Sequence, residues 1–359
     1  MIRKVVLQVH LYLGLIAGLF LIVLGLTGSI MAFEGDIDHW LHPGMWYIAA
    51  GGQPLPEGQL IAGVEHRFAP ARVAVVQMSQ HRDLAQLMLL TDRLGVTVNP
   101  YTGAVLGRRI VPTRTDRWIE AIHQVHLRLA GNIGAPWAGA GKVAVNYAGL
   151  ALFLLAPTGL VLWWRTKRTS IHWTASWFRI FFDTHRVIGI YAGLFLWIAG
   201  FTGVLIGFDW GEKMIYAVTH SERPNVGRPQ TSTPVPGASP IGMDRAIGVA
   251  KAAISNAALE MLFLPQKPED AYEVIFHVPG QTSSSADSSA VVDQFSGQAL
   301  AVRHFLKDSQ GYRWIRFNRS IHTGDIGGLA GHIVMSLSSL LLVAMVITGV
   351  VIRLKKLAV

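Results

Sequence analysis

Apolar and polar positions divide this chain into long apolar runs separated by mixed segments. Four runs, residues 5–33, 143–164, 187–208 and 333–352, are long enough to span a bilayer. Each supplies about 20 mostly apolar residues, which as a helix covers roughly 30 Å of hydrocarbon. The first run is too long for a signal peptide, and GDIDHW follows it where a small-residue cleavage site would stand, so it reads as an uncleaved span. Between the runs the periodicity changes. GQLIAGVEHRF has helical spacing; VAVVQMS, AQLMLL and GVTV alternate as strands do, and Asn99-Pro100-Tyr101-Thr102-Gly103 turns the chain into AVLGRRI. The second mixed segment repeats the order: MDRAIGVAKAAI as helix, EMLFLP, YEVIFHV and SAVVDQF as strands, and Asp293-Gln294-Phe295-Ser296-Gly297 as the turn into QALAVRHF. Glycine at the fifth turn position supplies the positive φ of a tight hairpin. Residues 231–240 and 281–289 read as flexible surface loops.

The apolar runs repeat as well. His10 is followed by Gly14, Gly18 and Thr27-Gly28, and His185 by Gly189, Gly193 and Thr202-Gly203, at identical offsets of 4, 8, 17 and 18. Trp118 precedes His126 by eight residues, as Trp314 precedes His322, and the runs that follow end in Thr158-Gly159-Leu160-Val161 and Thr348-Gly349-Val350-Val351. The expected fold is therefore an α-helical membrane protein of four transmembrane helices in two parallel repeats, each carrying an α+β domain between its two spans. Its boundaries are 1–33 (first span), 34–117 (first α+β domain), 118–142 (interfacial helix and loop), 143–164 (second span), 165–186 (loop), 187–208 (third span), 209–315 (second α+β domain), 316–332 (interfacial segment), 333–352 (fourth span) and 353–359 (tail).

Charge orients the chain. Arg3 and Lys4, then Arg165, Lys167, Arg168, Arg179 and Arg186, then Arg353, Lys355 and Lys356 all fall on one side of the predicted spans, which the positive-inside rule makes cytoplasmic. Both termini are then cytoplasmic and both α+β domains extracytoplasmic, periplasmic in a bacterial inner membrane. The net charge of +9 follows from this asymmetry and gives no ground for nucleic-acid binding. The chain is 51% hydrophobic and has no cysteine, which excludes disulfides, thiolate metal sites and covalently attached c-type haem. Its 14 histidines are the only strong soft-metal or haem-iron ligands present in quantity. There is no Ser-His-Asp signature, HExxH, phosphate loop or dinucleotide fingerprint.

Through HLYLGLIAGLFLIVLGLTGSIMAFEGDID, HRVIGIYAGLFLWIAGFTGVLIGF, IHTGDIGGLAGH and the two helix-strand-turn segments, the chain resembles the PepSY-associated transmembrane family, the iron-regulated membrane proteins. The resemblance covers nearly the whole length. It implies PepSY-like α+β domains, and it includes ferric-siderophore reductases that hold two b-type haems through membrane histidines. One departure is that the stretch after His126 is six residues longer than its counterpart after His322.

On that footing His10 and His185, about one turn inside the cytoplasmic ends of their spans, form one candidate axial pair, and His126 and His322 form a second near the opposite face. The bland alternative is small-residue helix packing with hydrogen-bonded histidines. Offsets of 17 residues correspond to roughly 26 Å along a helix, so the pairs would lie toward opposite membrane faces. His332 and His123 are rivals for the extracytoplasmic site, and His123 is also a candidate propionate partner. Arg3, Lys4 and Arg186 are further propionate candidates, more simply read as topology determinants. Trp118, Trp163, Trp164, Trp173, Trp177 and Trp314 read as an interfacial belt. His39 and His42, with Glu34, Asp36 and Asp38, suggest a metal site or, more simply, a solvated helix end.

Three functions follow as expectations. The first is a membrane oxidoreductase with two haem b groups, taking electrons from a quinol or a cytoplasmic reductase and passing them to an extracytoplasmic Fe(III)-siderophore. The second is a haem-free binding or regulatory protein acting through the PepSY-like domains. The third, a transporter on parallel repeats, is disfavoured by only four spans and no clearly broken helix.

Overall fold

The computed structural model describes residues 1–79, 81–110, 117–130, 138–224, 230–281 and 287–357. Parts of the expected interfacial loop in 118–142 and of the expected loop at 281–289 lie outside the described residues. In chain order, α1 (Ile2–Met31) leads into α2 (Glu34–Leu41), α3 (Pro43–Trp46) and α4 (Glu57–Arg67). Strands β1 (Val73–Gln77), β2 (Gln86–Leu90), β3 (Leu94–Val98) and β4 (Val105–Ile110) follow. Then come α5 (Arg117–Arg128), α6 (Ala138–Trp164), α7 (Trp177–Tyr191), α8 (Gly193–Gly207), α9 (Asp209–Val218) and α10 (Met243–Ala253). Strands β5 (Ala258–Phe263), β6 (Tyr272–His277), β7 (Ser288–Val292) and β8 (Ala299–Arg303) precede α11 (Gln310–Thr323) and α12 (Gly328–Leu357).

These elements form two compact units. Residues 1–34, 117–220 and 314–359 make a helical unit. Among the described residues three of its helices, Ile2–Met31, Gly139–Trp164 and Asp325–Lys355, are long and apolar enough to cross a membrane. The third apolar run behaves differently from the unbroken span expected. It begins earlier, at Trp177, and consists of α7 and α8 meeting at a 62° bend. The break falls at Ala192-Gly193, where glycine weakens helix continuity. With the bent pair taken as one span the helices number up to four.

Small residues bring these helices together. Ala17, Ala148, Ala151 and Ala192 surround Leu21, Leu196 and Leu342 in one buried cluster. A Cβ on Gly25 would stand 2.7 Å from the Ser339 carbonyl oxygen, and one on Gly200 2.7 Å from the Phe153 backbone nitrogen. The pairs α1/α12 and α6/α8 therefore approach backbone to backbone. Ser336 Oγ donates to the Ser29 carbonyl at 3.0 Å, and Asn146 Nδ2 to that of Gly207 at 2.7 Å. The aromatic belt is largely exposed: Trp118, Trp164, Trp173, Trp177 and Trp314 all present ring surface, as an interfacial anchor requires.

Residues 35–116 and 221–313 make the second unit. The sequence pattern placed 209–220 with the second α+β domain; the chain packs them, α9 included, with the helices. The six segments read as strands each overlap one, β4 and β8 follow the two predicted turns, and burial alternates on β6 (Tyr272, Val274, Phe276 inward) and β7 (Ser288, Ala290, Val292 inward). The two four-stranded meanders are not separate domains. Strand β1 pairs antiparallel with β5 (Val75↔Phe263, Val76↔Leu262, Gln77↔Met261), giving one eight-stranded sheet of order β4-β3-β2-β1-β5-β6-β7-β8. One core lies beneath it, where Leu60, Ile61 and Val64 of α4 and Met243, Ala246, Ile247 and Ala250 of α10 pack against the inward strand residues.

Two local expectations change. Residues 231–240 are anchored at their start: Ser232 is buried, its N–H donates to the Glu269 carbonyl, and its hydroxyl accepts from Gln294 N–H. Asp38 is no solvated helix end; it is buried in a bidentate pair with Arg109, at 2.9 and 3.0 Å, with the guanidinium 5.5 Å from the Trp46 ring. His39 lies against Trp46, ring centroids 4.6 Å apart.

Candidate functional site: four imidazoles held by threonine-glycine pairs

Four histidines of the helical unit are each seated in the same contact. His10 Nδ1 lies 3.0 Å from Thr158 Oγ1, His126 Nδ1 2.9 Å from Thr27 Oγ1, His185 Nδ1 3.0 Å from Thr348 Oγ1, and His322 Nδ1 2.9 Å from Thr202 Oγ1. The glycine after each threonine makes room for the ring. A Cβ on Gly28, Gly159, Gly203 or Gly349 would stand 3.1, 3.2, 3.3 or 3.4 Å from Cε1 of His126, His10, His322 or His185 respectively. In every case ring and threonine-glycine pair sit on different helices.

The hydrogen-bond network decides which ring nitrogen carries the proton. Each threonine hydroxyl donates back to the carbonyl four residues earlier: Thr27 to Val23 at 2.7 Å, Thr158 to Leu154 at 2.9 Å, Thr202 to Ile198 at 2.7 Å and Thr348 to Ala344 at 2.8 Å. With its single proton committed there, Oγ1 accepts from the imidazole. At one site a second acceptor makes this direct: His185 Nδ1 donates to the Met345 carbonyl at 3.0 Å. A carbonyl can only accept, which fixes the proton on Nδ1 of His185; at the other three rings the committed threonine hydroxyl gives the same assignment, and Nε2 keeps the lone pair, a form of histidine that ligates metal.

The four imidazoles fall into two pairs. The rings of His10 and His185 have centroids 6.3 Å apart and planes at 88°. Two imidazoles bonded through Nε2 to opposite sides of one metal ion, at roughly 2 Å each, place their centroids about 6 Å apart. His126 and His322 hold matching places in the repeat and are seated alike, on Thr27 and Thr202. Helix α1 links the pairs: it carries His10 for the first and Thr27 for the second, 17 residues apart and thus roughly 26 Å along the helix. Thr202 likewise follows His185 by 17 residues, across the bend.

The rival histidines are bonded to carboxylates and not seated on a threonine-glycine pair. His332 Nε2 is 2.9 Å from Asp325 Oδ1, with its ring against Phe33. His123 Nδ1 is 3.2 Å from Glu34 Oε2, and this hydrogen bond, outweighing partial burial, raises the pKa of His123. Arg186 bonds the Thr166 hydroxyl and lies 3.7 Å from the buried carboxylate of Asp183, which Arg179 and His172 also contact. Arg3 and Lys4 are exposed near the start of α1. Among the described residues no group of three or more His, Asp or Glu side chains converges on a metal position, so the acidic cluster around His39 and His42 is not brought together as one.

The glycines four and eight residues after the histidines divide by environment. A Cβ on Gly18 would meet Val346 Cγ1 at 2.9 Å, so this position serves helix packing, whereas nothing lies within 4 Å of Gly193. The threonines are the site residues that spacing alone did not identify. The available signal was the recurrence of Thr-Gly four times in apolar helices, equal in number to the symmetric histidines.

The model of one protein family, described as the PepSY-associated TM region, matches residues 7–356. No curated protein matches the chain.

Proposed function

The chain belongs to the PepSY-associated transmembrane family, and from that premise we propose that it is a dihaem b-type membrane oxidoreductase reducing an extracytoplasmic Fe(III) complex, a ferric siderophore. The observation that carries this reading is the fourfold histidine-threonine-glycine contact. It leaves four Nε2 lone pairs within a bundle of apolar helices, with the rings of His10 and His185 beside each other and His126 and His322 at the matching places of the repeat. A b-type haem needs that donor set and an apolar surround, without covalent attachment. Bound haem supplies a one-electron couple. The residues that would hold it are His10 with His185 toward one membrane face and His126 with His322 toward the other. The helices exclude water from both positions.

This reading includes four spans in two parallel repeats. The basic segments around Arg3, Arg168, Arg186 and Arg353 face the cytoplasm, and the PepSY-like segments lie outside, in a bacterial inner membrane. The bent α7/α8 pair counts as one span. Electrons enter from a quinol or a cytoplasmic reductase. One electron converts Fe(III) to Fe(II), and the lower ionic charge weakens the hard-oxygen chelate and releases the metal.

The test is a reduced-minus-oxidised spectrum with haem quantitation on full-length protein produced with ample haem. Two low-spin b-type haems per chain are expected. His10→Ala and His185→Ala should each lose one haem, and His126→Ala and His322→Ala the other. A folded, colourless wild type overturns the reading and leaves a haem-free binding or regulatory protein acting through its PepSY-like sheet.

A further inference from the structure

We infer that Thr27, Thr158, Thr202 and Thr348 are positioning residues that hold each axial imidazole in its ligating form and govern the two haem sites separately, Thr158 and Thr348 the site of His10 and His185, Thr27 and Thr202 that of His126 and His322. This rests on the dihaem reading above. Threonine in a helix commonly bonds the preceding turn, and that habit alone has no bearing on a ligand. Here, however, the back-bond sets the direction of a second one. With its proton donated at 2.7–2.9 Å to its own helix, each hydroxyl can only accept from the facing Nδ1–H.

At each site the hydroxyl then draws on the Nδ1 proton, and at His185 the Met345 carbonyl, three residues before Thr348, does so as well. For His185 both distances are 3.0 Å. Drawing that proton outward makes Nε2 more electron-rich. A more basic axial nitrogen stabilises ferric over ferrous iron, so these threonines lower the haem potential and slow haem loss. At His185 the Met345 carbonyl opposes the other tautomer, which would place a bare Nδ1 lone pair against its oxygen.

The wiring crosses between helices, and this separates a positioning role from a merely structural one. Thr27 lies on the helix that bears His10, yet it touches His126; Thr202 lies on the apolar run that bears His185, yet it touches His322. A structural defect in α1 would disturb the His10 site on the same helix, whereas loss of the hydrogen bond disturbs only the site across the helix interface.

The experiment replaces each threonine in the full-length protein by valine, which keeps the branched shape without the acceptor, and by serine, which restores the acceptor. Alanine, adding no bulk, serves where a valine variant is not recovered. The readouts are haem per chain, the rate of haem transfer to apomyoglobin, a potentiometric titration resolving two haems, and the low-spin EPR spectrum. The haem lost in His10→Ala identifies which signal belongs to which site. Expected for Thr27→Val and Thr202→Val is about 10–100-fold weaker haem retention and a positive shift in potential at the His126/His322 haem alone. Thr158→Val and Thr348→Val should act on the other haem, and serine should return each value toward wild type. A wild type with two haems whose valine or alanine variants leave retention and both potentials unchanged, or alter the haem on the wrong side, overturns the inference and spares the dihaem reading. A wild type without haem overturns both.

Discussion

Adding one methyl group at Gly28 probes how closely His126 is seated. The new Cβ would stand 3.1 Å from His126 Cε1, 3.6 Å from Nδ1 and 3.7 Å from Ser339 Oγ. Carbon atoms rest at about 3.5–4.0 Å, so the ring must retreat by roughly 0.4–0.9 Å. It cannot rotate away freely, because Nδ1 is tied to Thr27 Oγ1 at 2.9 Å, on the residue just before the new methyl. Overpacking of this kind costs about 1–3 kcal/mol. Gly→Ala within a helix otherwise gains up to about 1 kcal/mol. Gly149, also in a membrane-length helix, has nothing within 4 Å of its would-be Cβ and is the control that isolates this gain. Relative to Gly149→Ala, Gly28→Ala is expected to lose about 1–3 kcal/mol. If the loss falls on the haem-bound state, that is roughly 5–150-fold in haem affinity, at 1.4 kcal/mol per tenfold. Thermal unfolding in detergent and haem transfer to apomyoglobin measure the two quantities. Equal melting temperature and equal haem retention in the two variants would refute the reasoning.

Three further outcomes are expected. On the dihaem reading, His123→Ala and His332→Ala should each retain both haems, since neither ring has the threonine-glycine seat and His332 Nε2 is bonded to Asp325; loss of a haem in either moves the ligand assignment to that residue. Asp38→Asn leaves Arg109 buried without its carboxylate and should cost about 3–5 kcal/mol, read as a lower melting temperature and faster proteolysis of the sheet unit; a cost below about 1 kcal/mol contradicts the buried pair. Burial, with Asp244 nearby, lifts the Glu57 carboxyl to about 7 against the opposing pull of the Gln86 hydrogen bond and Lys251. The folded form therefore binds the proton more tightly than the unfolded one. The associated stability is full below the ordinary value of 4.5 and is lost as pH rises through about 7. The loss amounts to at most roughly 3 kcal/mol. Glu57→Gln should flatten unfolding between pH 4.5 and 7 and raise stability at pH 8; an unchanged pH profile refutes the assignment.

Local pattern determined much of this protein. Hydropathy located α1, α6 and α12, because a membrane-length helix needs only an uninterrupted apolar run. Alternation located six strands and the two glycine turns pointed to the other two, because a half-buried strand such as β6 or β7 shows its inward face at every second residue. Equal offsets selected His10, His126, His185 and His322 from 14 histidines and marked the four Thr-Gly pairs. Tertiary structure decided which of these meet. Thr27-Gly28 follows His10 on its own helix but receives the ring of His126, and Thr158-Gly159 receives that of His10. Spacing along one helix reports the face a residue occupies, not the neighbour packed against that face. The junction of β1 with β5 was equally invisible, since it is made by backbone groups every strand edge possesses. Asp38 offered no sign of burial, because the charge that permits it, Arg109, lies 71 residues away. Periodicity is a property of one segment, whereas hydrogen bonds and ion pairs between segments exist only once both are in place.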